Sequence, residues 1–191
     1  MHIDTNIKNE TIEFLDKVQY NSIGSTSELY NCDIKINVPS RSIIILGKLT
    51  NCSISTKSQL SNFDWTQALL SGCKFKGKFK DNFFMFNGIP NFSPCDFSES
   101  NLDSCQFFGD QSKLNIYPKW PIIIIKDPSF NSNCLLESLP PEKLIPILNG
   151  LKRMNDKISI ISINATALSK EYSIDTESIK GYFSKFDFCS L

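Results

Sequence analysis

Small residues and bulky apolar residues recur with a spacing of five along the first part of the chain. Positions 22, 27, 32, 37, 42, 47 and 52 are Ser, Ser, Cys, Asn, Ser, Gly and Cys, all small. Two residues later, positions 24, 29, 34, 39, 44, 49 and 54 are Gly, Leu, Ile, Pro, Ile, Leu and Ile, mostly bulky and apolar. After a one-residue slip the beat resumes as Phe63-Asp-Trp65, Ala68-Leu-Leu70 and Cys73-Lys-Phe75, and after a second slip as Cys95-Asp-Phe97, Ser100-Asn-Leu102 and Cys105-Gln-Phe107. Five cysteines share one local phrase, in which a large apolar residue and two spacers precede the cysteine and Ile or Phe follows two residues after it. A helix repeats every 3.6 residues and an ordinary strand every two, so neither produces this pattern.

The segments Cys95-Asp-Phe-Ser-Glu99, Ser100-Asn-Leu-Asp-Ser104 and Cys105-Gln-Phe-Phe-Gly109 resemble the pentapeptide-repeat family, whose consensus is roughly A-[DN]-L-x-x. The resemblance spans about residues 10–115, with degenerate repeats before the last block. It implies a mainly β fold: a right-handed, quadrilateral parallel β-helix with four pentapeptides per coil and the small and bulky residues turned inward. Four sides of five residues would stack Cys32, Cys52, Cys73 and Cys95 one above another, with Ile12-Glu-Phe14 in an earlier coil. Five coils at the ~4.8 Å strand spacing would make a rod about 24 Å long. The rule fails over 57–62 and 78–94, where loops or bulged corners are expected.

From residue 116 the beat stops, which divides the chain into a repeat region, 1–115, and an α+β or helical cap, 116–191. Tyr117-Pro-Lys-Trp-Pro121 reads as a stiff extended entry. Residues 122–126 and 157–164 read as strands. Residues 141–152, 165–172 and 176–186 read as helices, with Asp175 as N-cap of the last and a kink risk at Pro146. Such a tail would cover the end of the rod, which otherwise exposes apolar rungs and unpaired backbone.

Composition narrows the function classes. The 191 residues carry 20 basic and 20 acidic side chains, so a polyanionic partner has no net charge to attract it. Residues 22–115 hold eight acids (Glu28, Asp33, Asp64, Asp81, Asp96, Glu99, Asp103, Asp110) against nine bases (Arg41 and Lys35, 48, 57, 74, 76, 78, 80, 113). Some pentapeptide-repeat proteins bind type II topoisomerases by imitating duplex DNA, and that imitation needs a strongly negative surface. The single histidine, His2, stands beside the first residue and is a poor partner for a Ser or Cys nucleophile. The first twenty residues lack the apolar core of a secretory signal, and the aliphatic runs 43–46 and 122–125 fall far short of the ~20 residues that span a bilayer. A cytoplasmic chain without membrane contact is expected, with its seven cysteines as thiols and the sequons at Asn9, Asn51, Asn91 and Asn164 without consequence.

The candidate chemistry is thin. The cysteine ladder contains no CxxC and would set its thiols in a line, not a tetrahedron, so buried small side chains are the better reading. The segment 43–50 lacks the Gly and Ser/Thr of a phosphate loop. Lys74, Lys76, Lys78 and Lys80 alternate with Phe75 and Phe79 as a strand would, and Lys74 is expected to pair with Asp96 across adjacent coils. Residues 167–183 have a helix-turn-helix cadence, but Thr176, Glu177, Ser178 and Lys180 would make a nearly neutral recognition face.

No catalytic, cofactor or metal site is therefore expected. The chain reads as a non-catalytic protein-binding module, and within that class as a cytoplasmic inhibitor or immunity-type protein acting on a protein target. The alternatives are a DNA-mimicking topoisomerase partner or a DNA-binding regulator acting through the C-terminal helices, and the oligomeric state stays open. The candidate partner face is the mixed-charge set Lys74, Lys76, Asp96, Glu99, Asn101 and Asp103. The aromatic segment 83–92, with Phe84 and Phe86, either plugs the rod or exposes an anchor; plugging is favoured, because exposure would invite aggregation.

Overall fold

The computed structural model describes residues 1–15 and 19–191. Its first part is a mainly β solenoid of about five turns. The turns contribute β1 (His2–Ile3), β2 (Ile7–Lys8) and β3 (Thr11–Phe14); β4 (Asn21–Ile23), β5 (Glu28–Tyr30) and β6 (Asp33–Ile36); β7 (Ile43–Ile45), β8 (Lys48–Thr50), β9 (Ser53–Thr56) and β10 (Leu60–Ser61); β11 (Leu69–Ser71), β12 (Lys74–Lys80) and β13 (Phe83–Met85); and β14 (Asp96–Asp103) and β15 (Gln106–Phe108). Equivalent strands pair in parallel from turn to turn, giving the columns β1-β4-β7, β2-β5-β8-β11, β3-β6-β9-β12-β14 and β13-β15.

Left-handed residues turn the corners. Asn9, Asn31, Asn51 and Gly72 all have φ between 53° and 63° and lie one above another. Their N–H groups donate to Tyr30, Thr50, Ser71 and Ser93 in the next turn at 2.8–3.0 Å. Asn is the side chain that best tolerates this conformation, and Gly tolerates it freely. At Gly72 there is also no room, since a Cβ would sit 2.2 Å from Asn51 Oδ1. Asn62, Asp81 and Ser104 form a second such column.

In the first column a cysteine follows each of Asn31, Asn51 and Gly72. The thiols of Cys32, Cys52 and Cys73 point inward to the carbonyls of Ile7, Leu29 and Leu49 in the turn before, at 3.3–3.6 Å. A small side chain with a weak donor fills the corner and partners a carbonyl there. Cys32, Cys52, Cys73 and Cys95 share one register, as the spacing suggests. Cys105 belongs instead to the column of Asn82.

The beat of five holds on two sides and slips on the third. Over 36–45 the fully inward residues are Ile36, Val38, Ile43 and Ile45, one step off the expected phase. Ile12 stacks against Ile34, leaving Glu10 in the cysteine column, because the first turn is longer than four pentads. Two expected loops are also strands. Leu60–Ser61 pairs with Phe79–Lys80, and Lys78 to Met85 continues through β12 and β13, so that the real bulge is confined to about 86–95. Alternating burial of Phe79, Phe84 and Phe86 drives those residues into ladders despite the broken beat.

The solenoid path ends near Ile116, which bridges Asp96. The rest forms β16 (Ile122–Lys126), α1 (Pro128–Glu137), α2 (Ile145–Lys152), β17 (Ile158–Asn164), α3 (Ala165–Tyr172), α4 (Thr176–Phe183) and β18 (Cys189–Ser190). Strand β17 pairs antiparallel with β15, and β16 antiparallel with β17, so one sheet runs from the solenoid into the C-terminal part.

Four consecutive isoleucines are needed in β16 because both faces are covered. Ile122 and Ile124 join the solenoid core, while Ile123 and Ile125 pack under the helices with Leu135, Leu148 and Phe183. The helix expected over 141–152 begins as a 3₁₀ turn at Glu142–Leu144, and Pro146 sits in the first turn of α2, where it causes no kink. Helix α4 stops at Phe183, short of the expected 186, and α1 is a helix that the sequence pattern does not predict. Asp175 caps α4 through Ser178 at 2.9 Å. Asn164 caps α3 and also donates to Asn101 Oδ1 at 2.8 Å, tying helix to solenoid.

Candidate functional site

On the outer face of β12 and β14 the charged side chains compensate one another. Lys74 faces Asp96 in register but bonds Glu99, and Lys76 reaches the same carboxylate at 3.2 Å. The cause is the register shift between Lys74 and Lys76, which inserts an extra residue between Asp96 and Glu99. Asp96 accepts instead from the Ser98 amide at 2.8 Å. The two lysines hold the Glu99 carboxyl below the usual carboxylate range, and Glu99 pushes Lys74 up. Lys80 reaches Asp103 at 3.4 Å. The expected Lys74–Asp96 pair is thus replaced by a Lys74–Glu99–Lys76 triad.

Phe84 and Phe86 are fully buried. Phe84 touches the rings of Trp65, Phe75, Phe86, Phe97 and Phe107, so both phenylalanines plug the solenoid and neither is available as a surface anchor. Beside them, buried Asn82 donates to Leu60 and Lys80 carbonyls and accepts from Trp65 Nε1 at 3.1 Å.

A different surface carries a groove. The outer face of β2, β5, β8 and β11 floors a groove of about 730 Å³. Its wall is the bulge at Ile89, Pro90 and Asn91. That wall is pinned: the Ile89 N–H donates to Gln111 Oε1 at 3.0 Å, Gln111 Nε2 donates to the Ile89 carbonyl at 3.2 Å, and the Ser93 N–H donates to Ser71 Oγ at 2.9 Å. Tyr30 and Leu69 stand out of the floor at 47% and 50% exposure. Lys8, Lys48 and Glu28 supply a polar rim, with Lys48 and Glu28 3.8 Å apart.

Sequence reasoning missed this groove. The signal was present in Leu69-Leu70, since only one of two adjacent strand residues can point inward.

The thiols of Cys52, Cys73, Cys105 and Cys189 are poor nucleophiles. Hydrogen bonding to Cys73 and burial push Cys52 up; at Cys73 a bond to Cys52 works the other way but is outweighed by Cys95 and burial. Burial lifts Cys105 and Cys189 each to about 12. His2 is exposed, its ring against the Ser22 hydroxyl. Among the described residues no group of three or more His, Cys, Asp or Glu is placed to hold a metal ion, and no helix is long and apolar enough to cross a membrane. In the helix-turn-helix-like segment, Ile179, Tyr182 and Phe183 of α4 pack inward, while Lys180 lies over the Trp120 ring at 5.3 Å.

No protein-family model matches the chain, and no characterised protein or solved structure matches it.

Proposed function

We propose that the chain is a non-catalytic protein-binding module, and within that class a cytoplasmic inhibitor or immunity-type protein that neutralises one protein target. The observation that carries this reading is the groove over β2, β5, β8 and β11. There an aromatic and an aliphatic side chain are held out of a rigid ladder inside a polar rim, the composition from which interface anchors are made. A backbone already fixed by turn-to-turn pairing loses little further freedom when a partner docks. The resemblance to pentapeptide repeats supports the same use of the scaffold. Imitation of DNA finds less support, because the outer acids Glu28, Glu99 and Asp103 are each matched by a lysine.

The test is affinity capture from the native host with wild-type protein and with Tyr30→Ser/Leu69→Ser. Both side chains are half exposed, so the melting temperature should be retained. Loss of the specifically captured protein, by about 2 kcal/mol or roughly thirtyfold in affinity, is expected. Undiminished capture by the variant would remove the groove from the interface.

A further inference from the structure

A second groove, of about 420 Å³, lies where the corner of the solenoid meets α2 and α3. Its sides are apolar: Ile147 from α2, Met154 just beyond the end of that helix, and Tyr172 from α3, all half buried. Its mouth is acidic. Among the described residues that line it, Lys80 is the one cation, against the carboxylates of Asp81, Asp103 and Glu171. The Lys80 ammonium binds Asp103, and Asp81 and Glu171 act on it more weakly. One ammonium therefore serves three carboxylates. Burial and the neighbouring Asp103 both push the Asp81 carboxyl up, with Lys80 only partly offsetting them, so a further cation at the mouth would relieve this crowding.

The groove is open above Gly150, where a Cβ would meet no atom within 4 Å, so a polypeptide can run past it. An anion would be repelled at the mouth, and a neutral apolar group would desolvate the carboxylates without compensating them.

We propose that this groove takes an arginine, flanked by an apolar residue, from a protein partner. The aliphatic stem lies against Ile147, Met154 and Tyr172, and the guanidinium sits among Asp81, Asp103 and Glu171. Arginine fits better than lysine because its planar fork offers five donors to several carboxylates at once, and it stacks on an aromatic ring. The inference rests on the reading of the chain as a protein binder but uses a surface separate from the Tyr30–Leu69 groove.

The probe is N-acetyl-leucyl-arginine amide, compared with the same peptide carrying neutral citrulline, titrated into the full chain and followed by amide NMR. Shifts should centre on Lys80, Asp81 and Gly150, and the citrulline peptide should bind at least tenfold more weakly. Asp81→Asn keeps a residue suited to the left-handed corner, and Glu171→Gln changes an exposed side chain; each should weaken the arginine peptide severalfold. Gly150→Leu, which favours the helix, should abolish binding by filling the opening. Equal binding of the two peptides, shifts elsewhere, or indifference to all three substitutions would overturn the proposal. Tyr30→Ser/Leu69→Ser should leave this titration unchanged. Failure here with native capture intact therefore refutes the arginine site alone, and the converse refutes the other groove alone.

Discussion

The early and late turns of the solenoid enclose their cores with different side chains. In the early turns the inward columns are mainly aliphatic, with Phe14 the exception: Ile12, Ile34 and Ile54 stack on one side, Leu29 and Leu49 on another, Ile23 and Ile45 on a third. In the late turns they are mainly aromatic. Phe75 and Phe97 stack with centroids 4.5 Å apart, Phe84 and Phe107 4.8 Å apart, and Trp65 and Phe84 5.8 Å apart, with interplanar angles of 11° or less. The strands lengthen in step: β3, β6 and β9 have four residues each, whereas β12 has seven and β14 eight. Flat rings suit this stacking because the rise per turn, ~4.8 Å, lies within the range that offset-stacked rings prefer. The aromatic end is also the one that the C-terminal sheet extends.

The largest effect should come from the aromatic end. Phe84→Ala removes a ring in contact with five others and leaves a void between turns, costing about 3–5 kcal/mol. Ile34→Val, in the aliphatic column, should cost only about 0.5–1.5 kcal/mol. Urea unfolding of both variants checks the contrast, and equal losses would mean that the late turns are not the more tightly coupled part.

These columns also mark how far the sequence could be read. On the sides formed by 29–34 and 49–54 the inward residues follow from spacing alone. The slip over 36–45, which holds a 3₁₀ turn at Ser40–Ser42, and the strand at Phe83–Met85 did not, because neither change of phase shows in the spacing of the cysteines. Helix α1 was hidden by its composition: Pro128-Ser-Phe-Asn-Ser-Asn-Cys134 is rich in residues suited to turns, and Phe130 is 83% exposed, against the usual helical pattern. The sheet joining β15 to β17 links segments some fifty residues apart, and no periodicity announces such a pairing. Neither groove was legible for the same reason. One needs the bulge at 89–91 to stand beside β11, and the other needs Asp81 and Glu171 to converge from the solenoid and α3.

A second test follows the cysteine ladder from one half into the other. All seven cysteines are free thiols, and Cys134 is the exposed one. In the native protein a thiol reagent should modify Cys134 rapidly and the buried ladder slowly, with all seven reacting after denaturation. Cys32 lies among the aliphatic turns, whereas Cys95 lies where aromatic stacks and the C-terminal sheet bear on the rod. Opening in a solenoid propagates from its less stable neighbours, so Cys32 should be labelled before Cys95 under mild denaturant, as read by mass spectrometry of the modified peptides. The reverse order would place the weaker half at the aromatic end.

The smallest expected effect is electrostatic and belongs to the outer face of the late turns. Lys74 and Lys76 depress the Glu99 carboxyl through direct bonds to it. A carboxyl depressed in the folded state contributes stability that is fully present above its unfolded value and is lost as pH falls through the folded one. All three groups are exposed, so the contribution is small and screened by salt. Glu99→Gln should therefore lower the melting temperature slightly at neutral pH and low ionic strength, and the difference from wild type should vanish both in acid and in high salt. Asp81 has the opposite sign, since its carboxyl is raised by burial and its ionisation opposes folding, so Asp81→Asn should leave neutral-pH stability equal or higher. Melting curves of the two variants across the acid range separate the contributions. A Glu99→Gln penalty that persisted in acid would show that packing, and not the ion triad, holds the edge of β14 in place.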